Sequence, residues 1–195
     1  GAGMSRGKST TERCSFCEVH EIWPRYVLRD ERTSAEELLL CQESSSGGAF
    51  LIDDNCAANK PSFKRFLKHA IERGYSRPIA LQLRADAVFK RDGRLDRELL
   101  RLLRDLAPVT MLCIGVESAD DEDLDTVGKR IDSKQTARAL RAIRRRGLLV
   151  HGMFIAFAND TDDTLRRNGR YARKYVTSLQ YLFETPLPGT RSTAE

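Results

Sequence analysis

Long apolar segments are missing from this 195-residue chain, and so is the pattern of a secretory signal. No apolar run approaches the roughly 20 residues that a helix needs to cross a bilayer, and the N-terminus is polar. The five cysteines are an odd number spread widely along the chain. Such a set is a poor disulfide framework and fits a reducing compartment. We therefore expect a cytoplasmic protein without a membrane span.

The composition predicts one domain with one substantial core, because 41% of the residues are hydrophobic and 31% are charged. The net charge of +5 is partly concentrated in two arginine-rich segments, residues 141–146 and 166–174. Runs of this kind can contact nucleic acid phosphates. Both segments lie on predicted amphipathic helices, however, where arginine commonly fills the solvent-facing side. We therefore do not expect nucleic acid as a partner.

Helical and strand patterns alternate from residue 33 onward. Short apolar runs that end abruptly in polar residues are predicted strands, and segments with apolar residues at helical spacing are predicted helices. The predicted strands are residues 49–52, 79–83, 110–116, 149–157 and 179–183. The predicted helices run from a capping box at Ser34 and Glu37 to about residue 44, from near Asn59 to Gly74, and over residues 95–106, 133–146 and 161–176.

This alternation predicts an α/β fold. Right-handed crossover connections between parallel strands leave two architectures, an open doubly wound sheet or part of a (β/α) barrel. Residues 4–13 are the candidate for a sixth strand. In both architectures the loops at the carboxyl ends of the strands form the ligand face, although helix capping or a loop hydrogen bond is the alternative for any single polar residue there. The face would gather Asp53, Asp54, Asn55, Arg84, Asp86, Glu117, Ser118, Asn159, Asp160, Glu184 and Thr185.

A Cys-x-aromatic-Cys element lies ahead of the first predicted strand. Its two cysteines, Cys14 and Cys17, are three positions apart, and two thiolates in one ordered loop can hold a soft metal centre. Taken alone, the element also fits a zinc half-site, a redox pair or two unrelated cysteines.

Five segments taken in order resemble the radical S-adenosylmethionine (SAM) enzymes. They are Cys14-Ser15-Phe16-Cys17, the segments 50–55, 114–118 and 151–155, and Thr185-Pro186-Leu187-Pro188-Gly189-Thr190. The likeness is greatest to the catalytic domain of the cobalamin-associated branch, which includes hopanoid and Mg-protoporphyrin-type enzymes, and it covers residues 5–191. It implies a partial (β/α)6 barrel over residues 14–191, truncated at both ends, with residues 1–13 as a polar leader or frayed first strand and 192–195 as a tail.

The resemblance also implies a [4Fe-4S] cluster held by the cysteines of a CxxxCxxC loop, with one iron left free for SAM. Cys14 and Cys17 match the last two cysteines. The first should lie at Thr10, or at Lys8 if two residues are inserted, and neither residue replaces a thiolate. A cluster would then need an outside ligand or another residue of the chain. The candidates are Cys41, Cys56, Cys113 and His20, with Cys56 the nearest by sequence context.

The same resemblance implies a SAM site at the strand ends. Asp53, Asp54 and Asn55 match the motif that receives the methionyl ammonium, for which carboxylate and carbonyl acceptors are suited. Glu117 and Ser118 match the position that contacts the ribose or methionine part. The backbone near Gly152 to Phe154 matches the segment that flanks adenine.

The implied function is an enzyme core that cleaves SAM with one electron from a reductant, so that a 5'-deoxyadenosyl radical takes hydrogen from a small-molecule substrate. In cobalamin-associated relatives this chemistry leads to methylation or rearrangement, here of an apolar metabolite, with cobalamin held by a domain absent from this chain. One alternative is a degenerate barrel without a cluster that acts as a binding module. Another is a relative of the RNA-modifying methylthiotransferases, prompted by the arginine-rich helices.

Overall fold

The computed structural model describes residues 14–23, 26–44 and 46–191 of the protein. Within these ranges the chain forms five strands and seven α-helices, together with a short 3-10 helix at Ala85–Val88. The strands are β1 (Ala49–Leu51), β2 (Ile79–Leu83), β3 (Thr110–Glu117), β4 (Leu149–Ala156) and β5 (Ser178–Phe183). The helices are α1 (Val19–Ile22), α2 (Glu31–Ser44), α3 (Lys60–Glu72), α4 (Arg97–Asp105), α5 (Asp121–Thr126), α6 (Ser133–Arg144) and α7 (Asp162–Tyr175).

The five strands are all parallel and lie in one sheet in the order β1-β2-β3-β4-β5. A doubly wound sheet reverses its strand order at a switch point, whereas a barrel adds each strand beside the previous one. The observed order is that of a partial (β/α) barrel, and the predicted α/β fold is confirmed. Each predicted strand agrees with the observed strand to within one residue at either end. The candidate sixth strand, the leader 1–13 and the tail 192–195 lie outside the described residues.

The core lies between the sheet and the helices. Alternate residues of β2 (Ile79, Leu81 and Leu83) are buried in this core, as expected when successive side chains of a strand point to opposite faces. The helices contribute apolar faces to the same core, including Leu67, Leu99, Leu103, Leu140 and Ile143. Among the described helices, none is long and apolar enough to span a membrane.

Side-chain caps set the starts of most of the longer helices. Asn59, Asp96, Asp132 and Thr161 each accept a hydrogen bond from a backbone amide of the first turn of α3, α4, α6 and α7, respectively.

The capping box predicted at Ser34 and Glu37 is wrong, because α2 begins three residues earlier, at Glu31. Asp30 accepts from the amide of Thr33 at 2.9 Å, and the hydroxyl of Ser34 donates to the carbonyl of Asp30. Glu37 pairs with Arg29 instead.

Candidate functional site

The loop that carries Cys14 and Cys17 lies beyond the carboxyl end of β3. The loop is a tight turn in which the amide of Cys17 donates to the carbonyl of Cys14 at 3.2 Å. The amide of Ser15 donates to the carbonyl of Val127, which directly follows α5. Both cysteines are half-buried and free. This turn therefore places two thiols on the face at which the strands end.

An apolar cluster holds the same loop against the end of β4. Phe16 packs on Val127, Ile155 and Phe157, of which Ile155 belongs to β4 and Phe157 directly follows it. The aromatic residue between the two cysteines thus anchors the loop. This anchor fixes the loop to the β3 and β4 end of the sheet.

Neighbouring charges show what surrounds the two thiols. Burial raises the pKa of Cys14, the nearby cations Lys129 and Arg84 oppose that rise, and Glu117 adds to it. Burial also raises the pKa of Cys17, where a backbone hydrogen bond opposes the rise and the charges of Cys14, Asp54 and Glu117 add to it. The cysteine loop, the β1 loop and the end of β3 therefore meet at one place.

Glu117 lies in a strained bulge of β3 and is held there by Lys129. The register of β3 on β4 shifts between Gly115 and Glu117, and Glu117 has a left-handed backbone with φ 63°. The Lys129 ammonium donates to Glu117 Oε1 and to the carbonyl of Gly115, both at 2.6 Å. The side chains of Lys129 and Glu117 are only 8% and 11% exposed. Backbone strain of this kind persists where the surrounding structure enforces it and commonly marks a functional site.

Gly115 is required by this arrangement. A Cβ atom at this position would clash with the Glu117 carboxylate and approach the Lys129 ammonium to 3.2 Å. The sequence did not point to Lys129, which follows the short helix α5 and carries no motif of its own. Its importance depends on a bulge that no local pattern predicts.

Ser118 is placed differently from Glu117. It is 1% exposed, and its hydroxyl donates to Asp123 Oδ2 at 2.6 Å. Asn168 of α7, which is fully buried, accepts from the amide of Ala119 and donates to the hydroxyl of Tyr181. These bonds fix the loop between β3 and α5. The Ser118 hydroxyl is thus bonded within the protein, and the predicted ligand contact of Ser118 stays a prediction.

Sequence reasoning also missed Asn168. The available signal was a polar residue on the buried face of α7, four residues before Ala172 and seven before Tyr175. A buried amide must find partners, so such a residue indicates a hydrogen-bond network.

Asp53, Asp54 and Asn55 form the turn that follows β1. The turn is tied to β2, because the amide of Cys56 donates to the carbonyl of Gln82 at 3.0 Å. Asn55 Oδ1 is buried and has no hydrogen-bond partner among the described residues. A buried acceptor without a partner is costly, so this atom is available to a donor from a ligand.

Arg84 and Asp86 follow β2 and form a two-point ion pair, with Nε to Oδ1 at 3.0 Å and Nη2 to Oδ2 at 2.9 Å. The hydrogen bonds to Asp86 raise the pKa of Arg84, and the charges of Cys14 and Cys17 add to the rise. The sequence placed both residues at the ligand face without a defined role. The pair brings a fixed cation beside the cysteine loop.

Gly152 and Phe154 lie on the helix-facing side of β4. Phe154 is 0% exposed and stacks on Tyr181 with ring centroids 5.8 Å apart. A Cβ atom at Gly152 would approach the side chain of Val176 to 2.7 Å. The side chain of Phe154 therefore does not reach the strand-end face. Only backbone atoms of this segment remain for the predicted contact with adenine.

Among the described cysteines, Cys14 and Cys17 lie in one turn, where they match the predicted Cys-x-x-Cys ligands of an iron-sulfur cluster. Cys41 is exposed on α2 and Cys113 is buried within β3. Burial, followed by the charge of Asp53, raises the pKa of Cys56 to about 12, which disfavours the thiolate. Among the described residues no group of three or more His, Cys, Asp or Glu could hold a metal. The side chain of His20 and positions 8 and 10 lie outside those residues. Among the described residues, the donor set thus fits the Cys-x-x-Cys half of a cluster site and includes no third ligand.

The model of the radical SAM superfamily matches residues 7–171, and this chain therefore belongs to that superfamily of enzymes. Its members use a [4Fe-4S] cluster and SAM. The resemblance stated from the motifs is confirmed.

One relative matched by sequence and two solved structures show what the chain is similar to. The chain is 28% identical over 190 residues to the anaerobic magnesium-protoporphyrin IX monomethyl ester cyclase of Cereibacter sphaeroides, covering 96% of this chain and 30% of the cyclase. The methyltransferase TsrM of Kitasatospora setae, with cobalamin and a [4Fe-4S] cluster bound, superposes with a TM-score of 0.72 at 16% identity over 93% of this chain and 34% of that chain. The cobalamin-dependent SAM radical enzyme OxsB with aqua-cobalamin bound superposes with a TM-score of 0.67. The sequences are 18% identical, and the match covers 87% of this chain and 26% of OxsB.

These comparisons define the fold and the family rather than a reaction. The chain spans about 30% of the length of the cyclase it matches. At under 25% identity, the structural neighbours support the barrel fold alone.

Proposed function

We propose that this chain is the SAM-binding barrel core of an enzyme that cleaves SAM reductively. The observation that carries the proposal is the meeting of Cys14, Cys17, Asp54 and Glu117 at the carboxyl ends of the strands. In barrels of this kind the ligand face lies at those ends. Cys14 and Cys17 would hold two irons of the cluster as thiolates.

The β1 turn is suited to the methionyl ammonium of SAM. The Asp54 carboxylate lies close enough to the cysteine loop to influence Cys17, and Asn55 Oδ1 is an acceptor without a partner among the described residues. A cation with several N–H donors is bound best by carboxylate and carbonyl oxygens. Asp53 lies two residues after β1 and adds a second carboxylate directly before Asp54.

Glu117 is suited to the ribose hydroxyls. Lys129 engages its Oε1 atom, and a carboxylate has about four lone-pair sites for donors. Because the bulge and the ion pair hold the carboxylate in place, a hydroxyl donor meets a preorganised acceptor. Ser118 and Asn168 serve this site indirectly, by fixing the loop that follows β3.

When bound, a reduced [4Fe-4S] cluster supplies the electron that cleaves SAM to methionine and a 5'-deoxyadenosyl radical, which takes hydrogen from the substrate. A one-electron reductant is therefore a required partner. The likeness to cobalamin-associated relatives supports methylation or rearrangement of a small molecule, which we propose to be apolar, with cobalamin held outside this chain. A cytoplasmic location is part of the same proposal.

The test is SAM binding by the chain after anaerobic reconstitution with iron and sulfide. Equilibrium dialysis of the Thr10→Cys chain, in which the CxxxCxxC spacing is restored, with labelled SAM should show saturable binding that Asp54→Asn weakens and Cys14→Ala abolishes. Cys41→Ala is the matched control, since Cys41 is exposed on α2 and should leave binding unchanged. Formation of 5'-deoxyadenosine after dithionite reduction tests the cleavage step. SAM binding that is indifferent to Cys14→Ala and Asp54→Asn would contradict the proposed site.

A second candidate function is a cluster-less barrel that binds a ligand. The observation that favours it is the donor set, which reaches only two cysteines among the described residues. This candidate predicts iron content near zero after reconstitution even in the Thr10→Cys variant, together with ligand binding that does not depend on Cys14. The RNA-modifying alternative has less support, because the arginine-rich ends of α6 and α7 lie at the opposite end of the strands from the site.

A further inference from the structure

A cavity lies at the end of the barrel opposite the candidate SAM site. It measures about 310 Å³ and is lined by Arg141, Arg144, Arg145, Lys174 and Tyr175, and we call it the arginine cleft. These residues belong to the last turns of α6 and α7 and the position just after α6, directly before β4 and β5. The arginine cleft is thus at the amino ends of the strands, whereas the candidate SAM site is at their carboxyl ends.

Contacts within the protein hold part of the arginine cleft in a fixed geometry. Arg141 donates through Nη2 to the hydroxyl of Tyr175 at 2.7 Å, and its guanidinium lies 4.9 Å from the centre of the Tyr175 ring. The Lys174 ammonium lies 5.4 Å from the same ring centre. Arg144 donates through Nη1 to the carbonyl of Lys174 at 3.0 Å. Groups that are already ordered lose less entropy when they bind a ligand.

The floor of the arginine cleft is also fixed. Tyr175 is buried and packs edge-on against Tyr171, with ring centres 4.6 Å apart. The hydroxyl of Tyr171 donates to the carbonyl of Ser133 at the start of α6. The two aromatic rings therefore hold α6 and α7 together beneath the cations.

The four cations lack acidic partners. None of the lining residues is acidic, and within the part of the chain that the structure describes none of the four cations forms an ion pair with a carboxylate. Arginines at the other end of α7 differ, since Arg166 pairs with Asp162 and Asp163, and Arg167 pairs with Asp120. The positive charge of the cleft also acts on Tyr175. Burial raises the pKa of its hydroxyl, but the hydrogen bonds and charges of Arg141 and Lys174 outweigh burial and lower the pKa.

The helix ends neutralise only part of this charge. A helix C-terminus carries about half a negative charge, so the ends of α6 and α7 together offset about one of the four cations. The remaining excess of about three positive charges on these solvent-exposed side chains makes the cleft attractive to anions. A guanidinium presents a planar fork of donors that matches the oxygens of a phosphate group.

We propose that the arginine cleft binds the phosphate group of a small phosphorylated molecule. Arg145 and the second edges of Arg141 and Arg144 donate to the phosphate oxygens, and Lys174 adds a point charge. The cavity volume is at the lower end of the range for small-ligand pockets, which favours a single phosphate-bearing compound over an extended polymer. The inference does not depend on the SAM-binding function and holds equally for a cluster-less barrel.

The test is calorimetric titration of the full chain, without iron, with inorganic phosphate and with adenosine monophosphate at constant chloride. The double variant Arg145→Gln/Lys174→Gln should weaken binding at least tenfold, because it removes two of the four charges. Arg97→Gln/Arg166→Gln is the matched control: it removes the same charge from exposed positions outside the cleft and should change affinity less than twofold. The charge-retaining variant Arg145→Lys/Lys174→Arg should recover most of the affinity.

Each outcome decides the proposal. Saturable binding of phosphate or the nucleotide that is lost only in the cleft variant supports it, and the tighter of the two probes shows whether a nucleoside part contributes. No saturable binding, or equal loss in cleft and control variants, overturns it. A 20-nucleotide single-stranded RNA is the last arm: binding that depends steeply on salt and is not displaced by phosphate would indicate a polymer ligand and overturn the small-molecule assignment. Circular dichroism and thermal melting check that each variant is folded.

Discussion

The ammonium of Lys129 and the carboxylate of Glu117 form an ion pair, 2.6 Å from Nζ to Oε1, that closes over Gly115 at the end of β3. Lys129 also donates to the Gly115 carbonyl, so one ammonium binds both the strand and the carboxylate. Both side chains are almost fully buried. Removal of either partner would leave the other charged, desolvated and unpaired.

We expect Lys129→Met to lower the free energy of unfolding by about 3–5 kcal/mol, as for other broken buried ion pairs. The double variant Glu117→Gln/Lys129→Met should be more stable than this single variant, because no unpaired charge remains. Urea unfolding of the wild type, both single variants and the double variant measures the coupling. If the double variant loses the sum of the two single losses, the residues are not coupled.

Gly115→Ala should destabilise the protein by about 1–3 kcal/mol, the usual cost of forcing an extra methyl group into a packed site. The new Cβ atom would displace the Glu117 carboxylate and disturb the ion pair. Gly169→Ala is the matched control, since Gly169 lies in α7 with open space around its Cβ position. That substitution should stabilise by about 0.5–1 kcal/mol through helix propensity. Chemical denaturation measures both, and equal effects at the two glycines would contradict the packing argument.

Stability should fall at alkaline pH because of the buried thiols. Burial raises the pKa of Cys56 from 9.0 to about 12, so the folded state retains a proton that the unfolded state loses. Its contribution is fully present below pH 9.0 and is lost as pH rises towards about 12, at no more than about 1.4 kcal/mol per pH unit. Cys14 and Cys17, whose pKa values are also raised by burial, add to the same trend.

Urea unfolding between pH 8 and pH 11 measures this slope. Cys56→Ala should flatten it, whereas Cys41→Ala, at an exposed position of α2, should leave it unchanged. A slope that is the same in both variants would show that Cys56 is not the group responsible.

Thr10→Cys should raise the iron and acid-labile sulfide content after anaerobic reconstitution, because it restores the first cysteine of the CxxxCxxC spacing. The unmodified chain should bind a cluster poorly, since two thiolates leave two irons without a protein ligand. Iron and sulfide per chain, measured beside 5'-deoxyadenosine formation, provide the readout. Cys14→Ala in the Thr10→Cys background should abolish the gain. Near-stoichiometric cluster in the unmodified chain would mean that another ligand completes the site, and no gain in the variant would favour the cluster-less barrel.

The strands were predictable because each is a short apolar run that ends in polar residues, and the parallel order follows from the helices between them. The helices α1 and α5 were missed because each has six residues or fewer, too short for an apolar period to show. The start of α2 was misplaced because two capping signals overlap, and Asp30 rather than Ser34 caps the first turn.

The site was predictable only where it follows directly from strand ends and the cysteine spacing. Glu117 was identified from its position at the end of β3, but its partner Lys129 is brought to it by the bulge and by α5, which no local pattern reveals. The side chains of Ser118 and Phe154 are buried in the protein, and the predicted contacts of Ser118 and of the backbone near Phe154 stay predictions. The two directions of a side chain at a strand end cannot be told apart without the register of the neighbouring strand.

The bulge of β3 also constrains how this region can change in evolution. Substitutions at Gly115, Glu117 and Lys129 affect one another. A side chain at 115 needs a smaller group at 117, and loss of charge at 117 leaves Lys129 without a counterion. Single substitutions at these positions therefore meet a fitness barrier that simultaneous substitutions avoid. In homologous chains, positions 117 and 129 should therefore change together, and a side chain at 115 should occur only where 117 carries a smaller residue.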